Sequence, residues 1–218
     1  MSVSMYRNMI WVVVESRDLD GIVEHLKGEA DIKSISDFGA ADDLKFIWKT
    51  SHLVVADLDG LIYLGGWGLP FRQYGRRDSM EMLDECLRNL SEFAARLSQK
   101  FGKTYGFGDH QGGIYNFWFM AEDGQVTRKY AVYHDGLHEY DQSHISAGEP
   151  TEAEVQAAKR CHINGLSTGG GYPDEVSVRE IATNWVLDPQ QFSQRLIRAQ
   201  GGIPLCLYLN QITTLSEM

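Results

Sequence analysis

The amino-acid sequence predicts an α+β fold: an antiparallel sheet covered by one long helix, with a helical C-terminal region. Three observations lead there. Short β-prone runs cluster between residues 9 and 133, one long amphipathic pattern occupies 79–101, and helical patterns dominate 150–200. The chain has 218 residues and no internal repeat, and reads as a single α+β domain over 1–218. At that length a chain buries roughly 70% of its unfolded surface and needs no disulfide or structural metal.

Each element has its own signal. Met9-Ile-Trp-Val-Val-Val14 is β-branched and aromatic and predicts a buried strand. Leu19, Ile22, Val23 and Leu26 recur at helical spacing, with Gly28 as the stop. Residues 29–42 are polar and read as a loop. Strands are expected at Leu44–Trp48, His52–Ala56 and Leu61–Trp67, the last two joined by an Asp57-Leu-Asp-Gly60 turn. From 79 to 101, Met80, Leu83, Leu87, Leu90, Phe93, Ala94 and Leu97 form one apolar stripe with Cys86 on the same face. Asp78 with Glu81 fits a capping start and Gly102 a left-handed stop. Strands at Thr104–Phe107, Ile114–Ala121 and Val126–Tyr133 follow. The Asp-Gly pair in Glu122-Asp-Gly-Gln125 makes the last two a hairpin.

Beyond residue 133 the character changes. His134–Pro150 is polar and reads as a loop, and Thr151-Glu-Ala-Glu154 is a capping box opening a helix to about Cys161. A Gly-rich loop spans 164–173, and Asp174–Val186 is amphipathic. Asp188-Pro189 restarts a helix that runs to about Gln200, and Ile203–Leu209 closes the chain as a short strand.

Composition narrows the function. Hydrophobic residues at 43% and charged residues at 23% are globular values. The net charge of −10 repels phosphate backbones and anionic lipid, so nucleic acid and membrane are not expected as partners, whereas a basic protein is. Cys86, Cys161 and Cys206 are far apart, with no zinc spacing, and read as free thiols of a reducing cytoplasm. The apolar run Met9–Val14 is too short for a signal-peptide core, and no window approaches the ~18 apolar residues that span a bilayer. The expected location is cytoplasmic.

No recognisable catalytic motif emerges. Gly65-Gly66-Trp67-Gly68 lacks the third glycine of a dinucleotide fingerprint, and Ser167-Thr-Gly-Gly-Gly171 has no Lys-Ser/Thr to make a P-loop. There is no nucleophile elbow and no HExxH. Tyr115, Phe117, Trp118 and Phe119 contain no interleaved base and read as a core strand and not as a base-stacking platform. No catalytic residue, cofactor or metal is expected. The segment 121–154 stands out. Its acids are Glu122, Asp123, Asp135, Glu139, Asp141, Glu149, Glu152 and Glu154, against Arg128 and Lys129, which is a net −6 of the −10. Charge of that density steers a cationic partner. Glu122, Asp123, Asp135, Glu139, Asp141 and Glu149 are the first-choice contact residues. Trp67, Arg72 and Tyr74 on the Gly-rich loop are the second, because aromatic and Arg side chains are enriched at binding hot spots.

Several short stretches together resemble a known group. They are Phe107-Gly-Asp-His-Gln111, Tyr115-Asn-Phe-Trp118, Asp123-Gly-Gln-Val-Thr-Arg-Lys-Tyr130, the Gly148-Glu-Pro-Thr-Glu-Ala-Glu154 cap, Tyr172-Pro-Asp-Glu-Val176, Ile181-Ala-Thr-Asn-Trp185 and Asp188-Pro189. They look like a group of uncharacterised bacterial proteins similar to the immunity proteins encoded beside polymorphic or contact-delivered toxins, over roughly residues 60–190. The resemblance implies binding and occlusion of a cognate protein toxin, without catalysis. Two other readings stand beside it. One is a metal-dependent hydrolase built on His110, His134, His138 and nearby carboxylates of the 109–144 segment, where His144 also lies. The other is an interaction module that, as a homodimer, buries 9–14 as an edge strand.

Overall fold

The structure, a computed structural model, describes residues 10–29, 32–35, 52–58, 60–66, 68–71, 80–109, 115–133, 143–159, 175–188 and 205–209. Among these, nine strands form one sheet: β1 (Ile10–Val14), β2 (Ile32–Ile35), β3 (His52–Asp57), β4 (Ile62–Gly65), β5 (Thr104–Asp109), β6 (Tyr115–Glu122), β7 (Gln125–Tyr133), β8 (Ser143–Ala147) and β9 (Leu205–Leu209). Their order is β2-β9-β3-β4-β1-β5-β6-β7-β8, and all eight pairings are antiparallel. The helices are α1 (Leu19–Glu29), α2 (Met80–Phe101), α3 (Glu152–Ala157) and α4 (Glu175–Trp185). This is the α+β architecture that the sequence predicts.

Strand alternation sorts side chains onto two faces, each with its own core. On one face Val12 and Val14 of β1, Ile62 and Leu64 of β4, and Phe117 and Phe119 of β6 are buried under α1 and α2. The α2 stripe contributes Leu83, Leu87, Leu90, Phe93 and Leu97, each almost fully buried and stabilising by about 1.5–3 kcal/mol in transfer terms. On the other face Trp11, Val13, Tyr63, Tyr105, Phe107, Trp118, Tyr130 and Val132 meet Val178, Ile181 and Ala182 of α4 and Ala157 and Ala158 at α3. Helices α3 and α4 therefore dock on the face opposite α2. All four aromatic residues between 115 and 119 are buried, as a core strand requires. Cys86, on α2, is buried with that stripe and forms no disulfide.

Three expectations need correction. Ile32–Ile35 lies within the stretch read as a loop, yet it forms β2, because it pairs with β9 some 170 residues later. Ser143–Ala147 lies in the polar stretch after β7, yet it forms β8 against β7, with Ile145 packed onto the core. Strand β1 is no edge: it pairs with β4 on one side and β5 on the other, which removes the feature on which burial of 9–14 between two copies depended. In addition, α1 passes Gly28 and ends at Glu29. The expected strand at 44–48, the cap at Asp78 and the helix after Asp188 lie outside the described residues. Among the described residues, no helix is long and apolar enough to cross a membrane.

Candidate partner-binding face

The β6–β7 hairpin turn stands at one end of the sheet. It places Asp123 at φ 51° and Gly124 at φ 79°, the pair of positive angles that a two-residue type I′ turn needs and that Asp-Gly supplies at little cost. The turn is clamped to α2. The Gly124 amide donates to Ser98 Oγ at 3.0 Å, while that buried hydroxyl donates to the Ala95 carbonyl at 2.9 Å. Glu122 and Asp123 are thus held at a fixed place with their carboxylates exposed. Lys103 Nζ stands 3.6 Å from Glu122 Oε2, a solvent-screened pair that contributes little.

Glu149 reaches the same end by a different device. Gly148 follows β8 at φ 78°, where a Cβ would sit 2.1 Å from the Thr127 carbonyl oxygen. Only glycine allows that close crossing, which turns the chain out of the sheet toward Thr151. Thr151 caps α3, its hydroxyl accepting from the Glu154 amide while the Glu154 carboxylate accepts from the Thr151 amide.

Beneath this surface lies a buried ion pair that joins three elements. Glu154 is fully buried and Arg128 almost so. Glu154 Oε1 accepts from Arg128 Nε at 2.9 Å and from Trp118 Nε1 at 2.8 Å, and Oε2 accepts from the Thr151 amide at 2.8 Å and hydroxyl at 3.0 Å. Arg128 Nη1 donates to Ser146 Oγ at 2.9 Å and to the Ala147 and Gly148 carbonyls at 3.0 Å. Trp185 at the end of α4 donates to Thr151 Oγ1 at 3.0 Å. The β6–β7 register slips by one residue at Thr127, between Met120↔Arg128 and Ala121↔Val126, while Arg128 keeps the face of Tyr130 and Val132. With both carboxylate oxygens saturated, the pair is an anchor between β7, β8 and α3, and it has the geometry of a structural group and not of a proton donor or acceptor. Glu154, counted with the acids of 121–154, therefore adds nothing to the exposed charge.

The topology gathers acids that are distant in sequence. Strands β1, β3, β6 and β8 end, and β4, β5 and β7 begin, along one rim of the sheet. Exposed on that rim are Glu15 after β1, Asp57 at the end of β3, Glu122 and Asp123 at the hairpin, and Glu149 after β8. Asp18 and Asp20 at the start of α1 and Glu152 at the start of α3 extend it. Among the described residues, Arg17, Lys103 and Lys100 at the C-terminal end of α2 are the bases set against these eight carboxylates. From β3 to β8 the rim spans about 29 Å at the usual strand spacing. The field acts on its neighbours: the Tyr105 phenol is held well above the usual tyrosine value, first by burial, then by its 2.7 Å hydrogen bond to Glu15, then by the charges of Glu15 and Glu122.

Of the sequence-predicted contact residues, Glu122, Asp123 and Glu149 come together on this rim. Asp135, Glu139, Asp141, Trp67, Arg72 and Tyr74 lie outside the described residues. The chain leaves β7 at Tyr133 and returns at Ser143, paired residues at the end of the hairpin opposite the Glu122–Asp123 turn, about 26 Å away along β7. Sequence reading missed Glu15, Asp18, Asp20 and Asp57, because only strand pairing places them beside residue 122. His110, His134 and His138 are likewise outside the described residues, and His144 is exposed on β8. Among the described residues, no three His, Cys, Asp or Glu side chains group as a metal site. Comparison with protein-family models, with curated proteins and with solved structures finds no match to this chain.

Proposed function

We propose that this chain is a bacterial immunity protein that binds a cognate, basic protein toxin in the cytoplasm and occludes its active site. The observation that carries the reading is the acidic rim: eight exposed carboxylates along one end of a rigid sheet, set against three bases among the described residues. Toxins that act on nucleic acids or nucleotides present basic clefts, and a fixed row of carboxylates competes for such a cleft without chemistry of its own. Rigidity matters because surfaces ordered before contact lose less entropy on binding. The Ser98 clamp on the hairpin and the Arg128–Glu154 anchor under Glu149 supply that order.

The test is co-expression with the product of the adjacent open reading frame. The expected result is that this chain restores growth to cells poisoned by that product and co-purifies with it. Failure of both overturns the reading. Turnover of a small molecule by the isolated chain, lost on replacing His134 or His138, supports the hydrolase instead.

A further inference from the structure

The edge of the sheet next to the acidic rim has a property of its own. We propose that β8 is a docking edge that accepts an extended, basic segment of the protein partner as an added strand. This inference rests on the reading above that the partner is a basic protein.

Among the described residues, strand β8 closes the strand order and pairs with β7 alone, from Lys129↔Ala147 to Tyr133↔Ser143, and His144, Ser146 and Ala147 are exposed, so its other backbone edge faces away from the sheet. Edge strands are usually protected from pairing by lysine, proline or a bulge. Ser143-His-Ile-Ser-Ala147 contains neither residue, and its register against β7 is regular throughout. Strand β2, at the opposite edge, carries Lys33. The edge is also held in place from behind. Ile145 packs on the core, and Arg128 Nη1 bonds Ser146 Oγ and the carbonyls of Ala147 and Gly148. A fixed strand loses little freedom on accepting another, and main-chain bonds along it supply affinity independent of side chains.

Charge selects the occupant. Glu149 leaves directly from the strand, Glu152 opens α3 three residues later, and Glu122 and Asp123 stand two strands inward. Among the described residues, the two bases on the neighbouring strand β7 are engaged elsewhere: Arg128 is buried against Glu154, and Lys129 lies 4.0 Å from Asp84 on α2. An incoming strand bearing Lys or Arg is attracted. A second copy of this chain, at net −10, brings like charge to the same place.

Hydrogen exchange tests this in two steps, with the adjacent reading frame's product as the probe. In the isolated chain, amides of 143–147 that point away from β7 should exchange far faster than those of β6. In the complex they should become protected, and the paired substitutions His144→Lys and Ser146→Lys should weaken binding by about tenfold or more. Edge amides already protected in the isolated monomer would mean that the chain covers its own edge, and protection that appears with self-association would assign the edge to a second copy. Either result overturns the proposal. A stable complex in which 143–147 gain no protection and the lysine variant binds normally also overturns it, while leaving the immunity reading intact. Absence of any complex removes both.

Discussion

Moving a guanidinium and a carboxylate out of water costs several kcal/mol each, and their attraction offsets this only if the remaining donors and acceptors are also satisfied. At Arg128 and Glu154 that condition is met by Trp118, Thr151, Ser146 and two backbone carbonyls. Removing one partner leaves a buried charge uncompensated. Glu154→Gln should therefore lower stability by about 3–5 kcal/mol. The double variant Arg128→Met/Glu154→Leu should lose clearly less than the sum of its two single variants. Denaturant melts of the four proteins in this cycle check it, and additive losses would show that the two charges are not coupled. Tyr115 makes a different prediction at the same scale. Its phenol is raised above 10.0, first by burial, then by the negative charge of Asp109 and then by Cys86. A group whose folded value exceeds its unfolded one holds its contribution below the unfolded pKa and loses it as pH rises toward the folded value. Stability should thus be level up to about pH 10 and fall above it. Tyr115→Phe should retain more of its pH 8 stability at pH 11 than the parent does, as measured by denaturation midpoints at the two pH values.

Elements differ in how far their own residues determine them. The hairpin turn depends on one long-range clamp, the Ser98 hydroxyl on the Gly124 amide. Ser98→Ala leaves that amide without its acceptor and should cost about 1 kcal/mol. Exchange at Gly124 should accelerate more than exchange in the β6–β7 ladder. The hairpin itself was legible in the sequence, because Asp-Gly between two β-prone runs is a local signal. The same holds for α2, whose apolar stripe needs no partner to be seen, and for the Thr151–Glu154 box, whose four residues contain both halves of the cap. Strands β2 and β8 were not legible. Ile-Lys-Ser-Ile and Ser-His-Ile-Ser-Ala are weak β-formers, and they become strands only because β9 and β7 offer them a ladder. Burial of Arg128 left a trace that charge counting passed over: Tyr130 and Val132 follow it at strand period and place it on an inward face. The acidic rim was legible only in part. A window on residues 121–154 finds Glu122, Asp123 and Glu149; the turn at 57–60 joins β3 to β4, but Glu15 and Asp57 come beside residue 122 only because β1 pairs with both β4 and β5, which no local pattern specifies.

At the scale of the whole molecule, the two cores do different work. The face under α1 and α2 carries most of the aliphatic packing, whereas the other face is aromatic and fastens α3 and α4 through Trp118, Tyr130 and Trp185. Between them the sheet is held from both sides, so its rim presents charge at fixed positions. A fixed field accelerates encounter with an oppositely charged partner, and it acts on association far more than on dissociation. The effect must also depend on position and not only on net charge. Replacing Glu122 and Asp123 by lysine changes the net charge by the same amount as replacing Glu85 and Glu92, which are exposed on α2 away from the hairpin turn. The rim pair should slow association with the adjacent gene product by about tenfold at low salt, and the α2 pair by much less. The Debye length falls from about 10 Å at 0.1 M to about 3 Å at 1 M, so the difference between the two variants should shrink to less than about twofold at the higher salt. Stopped-flow or surface-binding rates across that range decide the matter. Equal slowing by both pairs would mean that the partner responds to overall charge alone, and that the rim has no special claim to the contact.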